Sequence, residues 1–283
     1  MKQVCFKAKY SFFLYDFINI LVFLTTEPQQ FMLTVYMIGK VYLVGIGTGC
    51  PDEMTPRATN AITRARVVIG HGYSLDMIHP LLEGKEVIGQ GMNPLERSTT
   101  AVEYCLKGET VAIISSGDPG IYAIASTFFS FLKQGEITIP VEVIPGLTTS
   151  TSAAARLGSP LGNDFAVISL ADQAGCWSST QERLKQAATS DFVLVLYNPL
   201  GKLGRERFLA ACQALEELRD PCTAVGVVSG AGSDHESAEI TTLGLLCKAA
   251  ITGDSLIIIG NSTTFVFDNW MITPRAYQPG LGY

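Results

Sequence analysis

The sequence predicts an α/β fold with two domains, and three of its features support this prediction. Short apolar runs typical of buried strands, such as VAII at 111–114 and FVLVL at 192–196, alternate with segments of helical periodicity. Glycine-rich turns follow several of these runs. The chain of 283 residues is 47% hydrophobic, which suffices for two cores. We therefore expect mostly parallel strands with helices on both faces.

The net charge and the cysteine pattern indicate which partners the protein has and which cellular compartment it occupies. A net charge of −6 at pH 7 does not suggest a nucleic-acid surface, so we expect no nucleic-acid partner, and an anionic ligand would need a local cationic patch. The seven cysteines are odd in number, scattered, and not clustered with histidine. This pattern argues against a disulfide framework and against a bound metal, and it fits a reducing cytoplasm.

Residues 1–36 differ from the rest, and we treat them as an N-terminal extension of uncertain structure. The apolar segment at 10–24 is shorter than the roughly 20 residues of a spanning helix, and Asp16 and Asn19 interrupt it. Three interpretations stay open: an extension upstream of a natural start at Met37, a helix that packs on the main body or a partner, and a membrane anchor. We favour the first and expect no membrane attachment.

A first domain is expected over residues 37–160. The apolar run 41–44 leads into GIGTGCPD, and Thr55 with Pro56 then forms a predicted helix start. Cys50 stands where the third glycine of a dinucleotide fingerprint would fall, and no acidic residue follows the next strand at 67–70. Both features count against an NAD-dependent oxidoreductase.

The strand at 111–114 runs into the turn SSGDPG, and a helical pattern is expected from Ile121. Ligands of open α/β sheets bind at the carboxyl ends of the strands, and glycines there let a ligand approach the backbone. Asp118 is either the polar anchor for such a ligand or an N-cap of the helix. Further strands are predicted at 87–88 and 141–144, and helices at 74–82, 97–107 and 149–157.

A turn-rich break at 158–162 separates a second domain over residues 161–283. Strands are predicted there at 165–169, 192–196, 225–228, 238–241 and 256–259. Helices are predicted at 180–188 and 243–250, and another is opened by Lys202, Arg205 and Arg207 and runs to Leu218. Two α/β halves that both carry ligand-type loops suggest a binding cleft between them.

The motifs GIGTGCP, SSGDPGIY, IPGLTTS, NDFAVISL, LYNP and GNSTT, in this order, resemble those of the tetrapyrrole methyltransferases. The resemblance covers residue 37 to the C-terminus. It implies the class III methyltransferase fold, with a mostly parallel sheet in the first domain and a mixed sheet in the second. S-adenosylmethionine (SAM) would lie between the domains. NDFAVISL, LYNP and GNSTT resemble the subgroup that methylates carbon 17 of precorrin-3B or cobalt-factor III, with ring contraction, in cobalamin biosynthesis. Many members are homodimers.

The resemblance also implies cofactor-binding residues. Ser116, Gly117 and Asp118 match the stretch that contacts the methionine end, while Tyr197 and Asn198 match a loop around the adenine. Thr48 stands where the family usually has proline. The complete implied set is Thr48, Ser116, Gly117, Asp118, Ile121, Thr148, Thr149, Tyr197, Asn198, Gly226 and Ser255.

Methyl transfer from a sulfonium needs mainly positioning and exclusion of water, and we find no catalytic triad. Ring contraction also needs proton transfers, for which His71 is the catalytic candidate, with Asp118 and Tyr197 as alternatives. Cations that could bind substrate carboxylates, or simply form solvated helix faces, are Arg57, Arg64, Lys202, Arg205 and Arg207. Two other functions stay open: methylation of another tetrapyrrole position, and non-catalytic corrinoid binding.

Overall fold

The computed structural model describes residues 20–23, 34–48, 50–171, 176–200 and 205–275. The chain divides into two compact units, Met1–Gly146 and Leu147–Tyr283. Near the N-terminus, strands β1 (Ile20–Phe23) and β2 (Thr34–Met37) pair antiparallel. Residues 20–23 are thus a strand rather than part of a helix, and the rest of the apolar segment at 10–24 lies outside the described residues. Within the described part of the chain, no helix is long and apolar enough to cross a membrane.

The main sheet of the first unit has five strands: β3 (Lys40–Gly45), β4 (Val67–Ile69), β5 (Glu86–Ile88), β6 (Thr110–Ser115) and β7 (Val141–Ile144). Their order is β5-β4-β6-β3-β7, and every pairing is parallel. The central strands β3 and β6 are buried almost throughout, which explains their continuous apolar sequence. This confirms the predicted parallel sheet.

Four α-helices cover this sheet: α1 (Pro56–Arg64), α2 (Gly72–Met77), α3 (Pro94–Leu106) and α4 (Ile124–Gln134). Thr55 caps α1 as predicted, since its hydroxyl accepts a hydrogen bond from the Ala58 amide at 3.1 Å. The helix expected from Ile121 begins three residues later, because Tyr122 adopts a φ of 50° that no α-helix accommodates. Helix α2 ends at Met77, and a separate 3₁₀ turn follows at His79–Leu81.

The second unit contains a mixed sheet and a small one. The strands are β8 (Gly158–Ser159), β9 (Phe165–Ser169), β10 (Val193–Tyr197), β11 (Ala224–Ser229), β12 (Ser237–Thr242), β13 (Leu256–Ile259), β14 (Phe265–Phe267) and β15 (Trp270–Ile272). The large sheet has the order β12-β11-β13-β10-β9, and the small one the order β14-β15-β8. In the large sheet only the β9–β10 pairing is parallel, so the predicted mixed sheet is confirmed.

The helices of this unit are α5 (Thr149–Leu157), α6 (Trp177–Thr189), α7 (Arg205–Glu216) and α8 (Leu243–Leu246). Helix α5 packs on β11 and β13, and its Ala153, Ala154 and Leu157 join the core of the second unit. For this reason the two units divide after Gly146, earlier than the break expected at residue 160. Helix α8 is also shorter than the predicted 243–250.

Arg219, just after α7, ties three segments of the second unit together. Its guanidinium donates to the carbonyl oxygens of Gly260 at 2.6 Å, Phe192 at 2.5 Å and Ala188 at 3.2 Å. These carbonyls lie at the end of β13, before β10 and in the last turn of α6. Partial burial lowers the pKa of this guanidinium, while the nearby Asp191 raises it.

We predict that Arg219→Lys lowers the free energy of unfolding by about 2 kcal/mol, because an ammonium cannot satisfy three separated carbonyls as the planar guanidinium does. Urea denaturation measures the change. Arg64→Lys, at an exposed residue of α1, serves as the control and should leave the midpoint unchanged. Equal midpoints for both variants would contradict this role of Arg219.

Candidate functional site

The loops after β3, β6 and β7 touch each other at the carboxyl edge of the first sheet. The amide of Gly117 donates to the carbonyl of Gly47 at 2.6 Å, and the Gly47 amide returns a bond to Gly117 at 3.2 Å. A Cβ at Gly146 would lie only 2.2 Å from the Gly117 oxygen, and one at Gly45 only 2.5 Å from the Gly146 nitrogen. Glycine is therefore required where these three backbones meet.

Asp118 fixes the same loops through its carboxylate. One oxygen, Oδ1, accepts from the Gly120 amide at 2.8 Å and holds the turn after β6. The other, Oδ2, accepts from the Gly146 amide at 3.2 Å and joins the loop after β7 to that turn. The carboxylate thus acts as an acceptor that positions the SGDPG loop.

The other predicted residues of the first unit lie around this edge because they follow β3, β4 and β6, which run parallel. Thr48 is buried, and its hydroxyl donates to the Glu53 carboxylate. Ser116 is exposed, as is Ile121 with 40% of its surface accessible. His71 precedes α2, is exposed, and makes no side-chain cap to that helix.

In the second unit, the Tyr197 hydroxyl holds the beginning of α5. It accepts a hydrogen bond from the Ser150 amide at 3.0 Å, and it lies 2.8 Å from the Thr148 hydroxyl. Thr148 occupies the N-cap position, but its own side chain does not cap the helix. Tyr197 therefore satisfies an amide that a helix N-terminus otherwise leaves free. Thr149, the first residue of α5, is half-buried.

Asn198 and Ser255 lie at the same edge of the second sheet as Tyr197, since β9, β10 and β11 end there and the antiparallel β13 begins there. Asn198 has a φ of 51°, and its amide donates to the Ser169 hydroxyl at 3.1 Å. Ser255 is buried, with its hydroxyl 2.6 Å from that of Ser229. The edge is thus lined with hydroxyl and amide groups.

Gly226, which the resemblance places beside the adenosine, has a packing role in the structure. It is buried within β11, and a Cβ there would lie 2.2 Å from the Leu157 Cδ1 atom. Leu157 of α5 already fills the space that a side chain would occupy. The structure therefore gives Gly226 a packing role beneath α5, and its contact with the adenosine stays a prediction.

Most of the proposed substrate-binding cations already have partners. Arg57 forms an ion pair with Glu142 at 2.8 Å, and Arg205 donates to the Cys247 carbonyl at 2.6 Å. Arg207 stacks over the Trp177 ring at 5.1 Å from its centroid. Arg64 is exposed in the last turn of α1, and Lys202 lies outside the described residues.

A groove of about 910 Å³ lies beside α2 and the edge strand β5. Its lining includes Leu75, His79, Val87 and Gln90 but none of the predicted site residues. Over the described residues, no cluster of His, Cys, Asp or Glu side chains is arranged to hold a metal ion.

Four residues that help to build the two edges were not predicted from the sequence. Gly45 and Gly146 permit the loop contacts, and the hydroxyls of Ser169 and Ser229 make hydrogen bonds at the second edge. Their position could have indicated them, because each ends a predicted strand or follows one within two residues.

Comparison with solved structures defines the class of protein. The fold matches a crystal structure of the methyltransferase CobJ with a TM-score of 0.78 at 29% sequence identity, covering 83% of this chain and 100% of that one. Residues 40–247 match the family of Tetrapyrrole (Corrin/Porphyrin) Methylases. The chain therefore belongs to the tetrapyrrole methylase family.

Two relatives are similar over nearly their whole length. A probable cobalt-factor III C(17)-methyltransferase of Salmonella typhimurium is 39% identical over 237 residues, which are 83% of this chain and 98% of that protein. A precorrin-3B C(17)-methyltransferase of a Sinorhizobium species is 30% identical over 250 residues, 87% of this chain and 96% of that protein.

The role of Asp118 in fixing the loops predicts a stability loss. Asp118→Ala leaves the Gly120 and Gly146 amides without their acceptor and should lower the free energy of unfolding by about 2 kcal/mol. Asp118→Asn retains an acceptor oxygen and should lose less. Urea denaturation and hydrogen exchange at the Gly146 amide measure both effects. Asp76→Ala, at an exposed site on α2, should change neither, and an unaltered Asp118→Ala variant would refute the assignment.

The packing of Gly226 predicts a coupled pair. Gly226→Ala should cost about 1–3 kcal/mol of stability, because its methyl group overlaps Leu157. In a Leu157→Ala background the same substitution should cost much less, so a double-mutant cycle by thermal or urea unfolding reports the contact. Gly253→Ala, where nothing lies within 4 Å, is the control. Additive effects would show that Leu157 is not the obstacle.

Proposed function

We propose that this protein is a SAM-dependent C-methyltransferase of cobalamin biosynthesis. It transfers a methyl group to carbon 17 of cobalt-factor III or precorrin-3B, and ring contraction accompanies the transfer. The observation that carries this proposal is the end-to-end similarity to relatives so named, with 39% identity across 98% of the Salmonella protein. We further propose that it works as a cytoplasmic homodimer, as the family resemblance implies.

Each sheet edge, considered by itself, carries groups that suit a cofactor with polar and apolar parts. In the first unit, Ser116 and Ile121 are exposed on a loop that Asp118 and three glycines hold in place. In the second unit, Tyr197 orders Thr148 at the start of α5, and Asn198 lies beside the hydroxyl of Ser169. SAM, when bound, supplies the methyl group as a sulfonium electrophile.

The chain's own contribution is positioning rather than covalent chemistry. Fixed loops lower the entropic cost of aligning two reactants, which can account for a large share of the rate. Asp118 contributes by fixing the loops, since its carboxylate accepts hydrogen bonds from the Gly120 and Gly146 amides. For the proton transfers of ring contraction we retain His71, whose exposed imidazole follows β4 at the same edge.

The test is turnover with a defined substrate. The full chain is incubated with SAM and either cobalt-factor III or precorrin-3B, and mass spectrometry follows the gain of one methyl group. Tyr197→Phe removes only the hydroxyl that contacts Thr148 and the Ser150 amide at the start of α5. Because Thr148 is then no longer held in place, the KM for SAM should rise about tenfold. Tyr104→Phe removes a hydroxyl that bonds Glu86 on the surface and is the matched control.

Each outcome separates the candidate functions. Methylation of another tetrapyrrole but of neither C17 precursor would change the substrate and keep the reaction class. Binding of a corrinoid without binding of S-adenosylhomocysteine in calorimetry would overturn the methyltransferase proposal and favour a non-catalytic corrinoid-binding protein.

A further inference from the structure

The side chain of Arg97, in the first turn of α3, has no hydrogen-bond or ion-pair partner among the described residues. Its Nε atom is buried and has no hydrogen-bond acceptor, a situation found for no other side-chain nitrogen or oxygen in the described ranges. The side chain is half-buried, and burial lowers the pKa of its guanidinium. Enclosing part of a cation without an acceptor is destabilising, so the folded chain alone gives no reason for an arginine here.

Nearby polar groups are committed elsewhere. The Glu96 carboxylate accepts from the Asn93 amide at 2.8 Å, and the Asn93 side chain accepts from the Glu96 amide at 3.0 Å. This capping box fixes the first turn of α3 and occupies the adjacent acid. The buried Ser98 hydroxyl donates to the Pro94 carbonyl at 2.9 Å. The bonds recorded for these two groups go to the backbone of the same helix turn, and neither goes to the Arg97 side chain.

The place of Arg97 in the fold is at the carboxyl edge of the first sheet. Helix α3 starts there because it follows β5 through residues 89–93, and it packs against α4, which follows the SGDPG loop. The N-terminal turn of a helix adds positive potential to that of the guanidinium. Arg97 as a residue is half-buried, and the one buried, unsatisfied atom recorded for its guanidinium is Nε.

We propose that Arg97 binds a carboxylate side chain of the tetrapyrrole substrate through its two Nη nitrogens. This proposal rests on the proposed function, because a polycarboxylate macrocycle is the ligand that would supply the missing anion. The guanidinium fork matches a carboxylate in bidentate fashion. Unlike Arg57, Arg205 and Arg207, this arginine has no partner in the part of the chain that the structure describes, so no such contact must break before the ligand binds.

The experiment titrates the full chain with uroporphyrin III, a stable tetrapyrrole polycarboxylate, and follows quenching of the porphyrin fluorescence. Arg97→Met should weaken binding about 10- to 100-fold, as expected for the loss of a charge-assisted pair. Arg97→Lys keeps the charge without the fork and should bind with intermediate affinity. Arg64→Met removes an exposed arginine from the last turn of α1 and should bind like the wild type.

Thermal unfolding of the free proteins is the second measurement. Arg97→Met should melt at the wild-type temperature or above it, because the unpaired cation is gone, so weaker binding cannot be ascribed to unfolding. Wild-type affinity in both Arg97 variants would overturn the role of Arg97 and leave the proposed function standing. If the wild type does not bind uroporphyrin III, the role of Arg97 falls, and turnover with cobalt-factor III or precorrin-3B decides the proposed function separately. If Arg97→Met fails to fold, the affinity of Arg97→Lys decides.

Discussion

The first unit depends on a close backbone contact at the carboxyl edge of its parallel sheet. Gly45 and Gly146 lie so near each other and the Gly117 carbonyl that a Cβ added at either would overlap a neighbouring main chain. Side chains are excluded there, and Asp118 supplies the acceptor that holds two of the loops. The SGDPG motif therefore fixes the conformation of this loop, and Ser116 and Ile121 are exposed on it.

The second unit orders its edge with side chains instead of glycines. Tyr197 holds the start of α5 with one hydroxyl, and Asn198 reaches the end of β9. Residues that the family resemblance associates with a cofactor thus also have structural partners. The two roles are compatible, because a group already held by hydrogen bonds loses little entropy when a ligand arrives.

The sequence predicted the strands and their parallel arrangement well, since a buried strand leaves a continuous apolar run. The predictions that were wrong concern element and domain boundaries that tertiary contacts determine. Helix α4 starts at Ile124 because Tyr122 takes a left-handed conformation in the turn, which no periodicity reveals. The units divide after Gly146 because the alanines of α5 pack on the second sheet. Small residues allow close packing but do not indicate on which sheet it occurs.

What the sequence by itself determined is the α/β class, the order of the elements and membership of the tetrapyrrole methylases, because motifs and periodicity are local properties of the chain. Only the tertiary structure decided what individual side chains do. Gly226 became a packing residue because Leu157, distant in sequence, fills its Cβ space. Arg57 gained Glu142 as a partner, while Arg97 gained none among the described residues. Such pairings depend on which distant residues the fold brings within a few ångströms, and no local pattern encodes them.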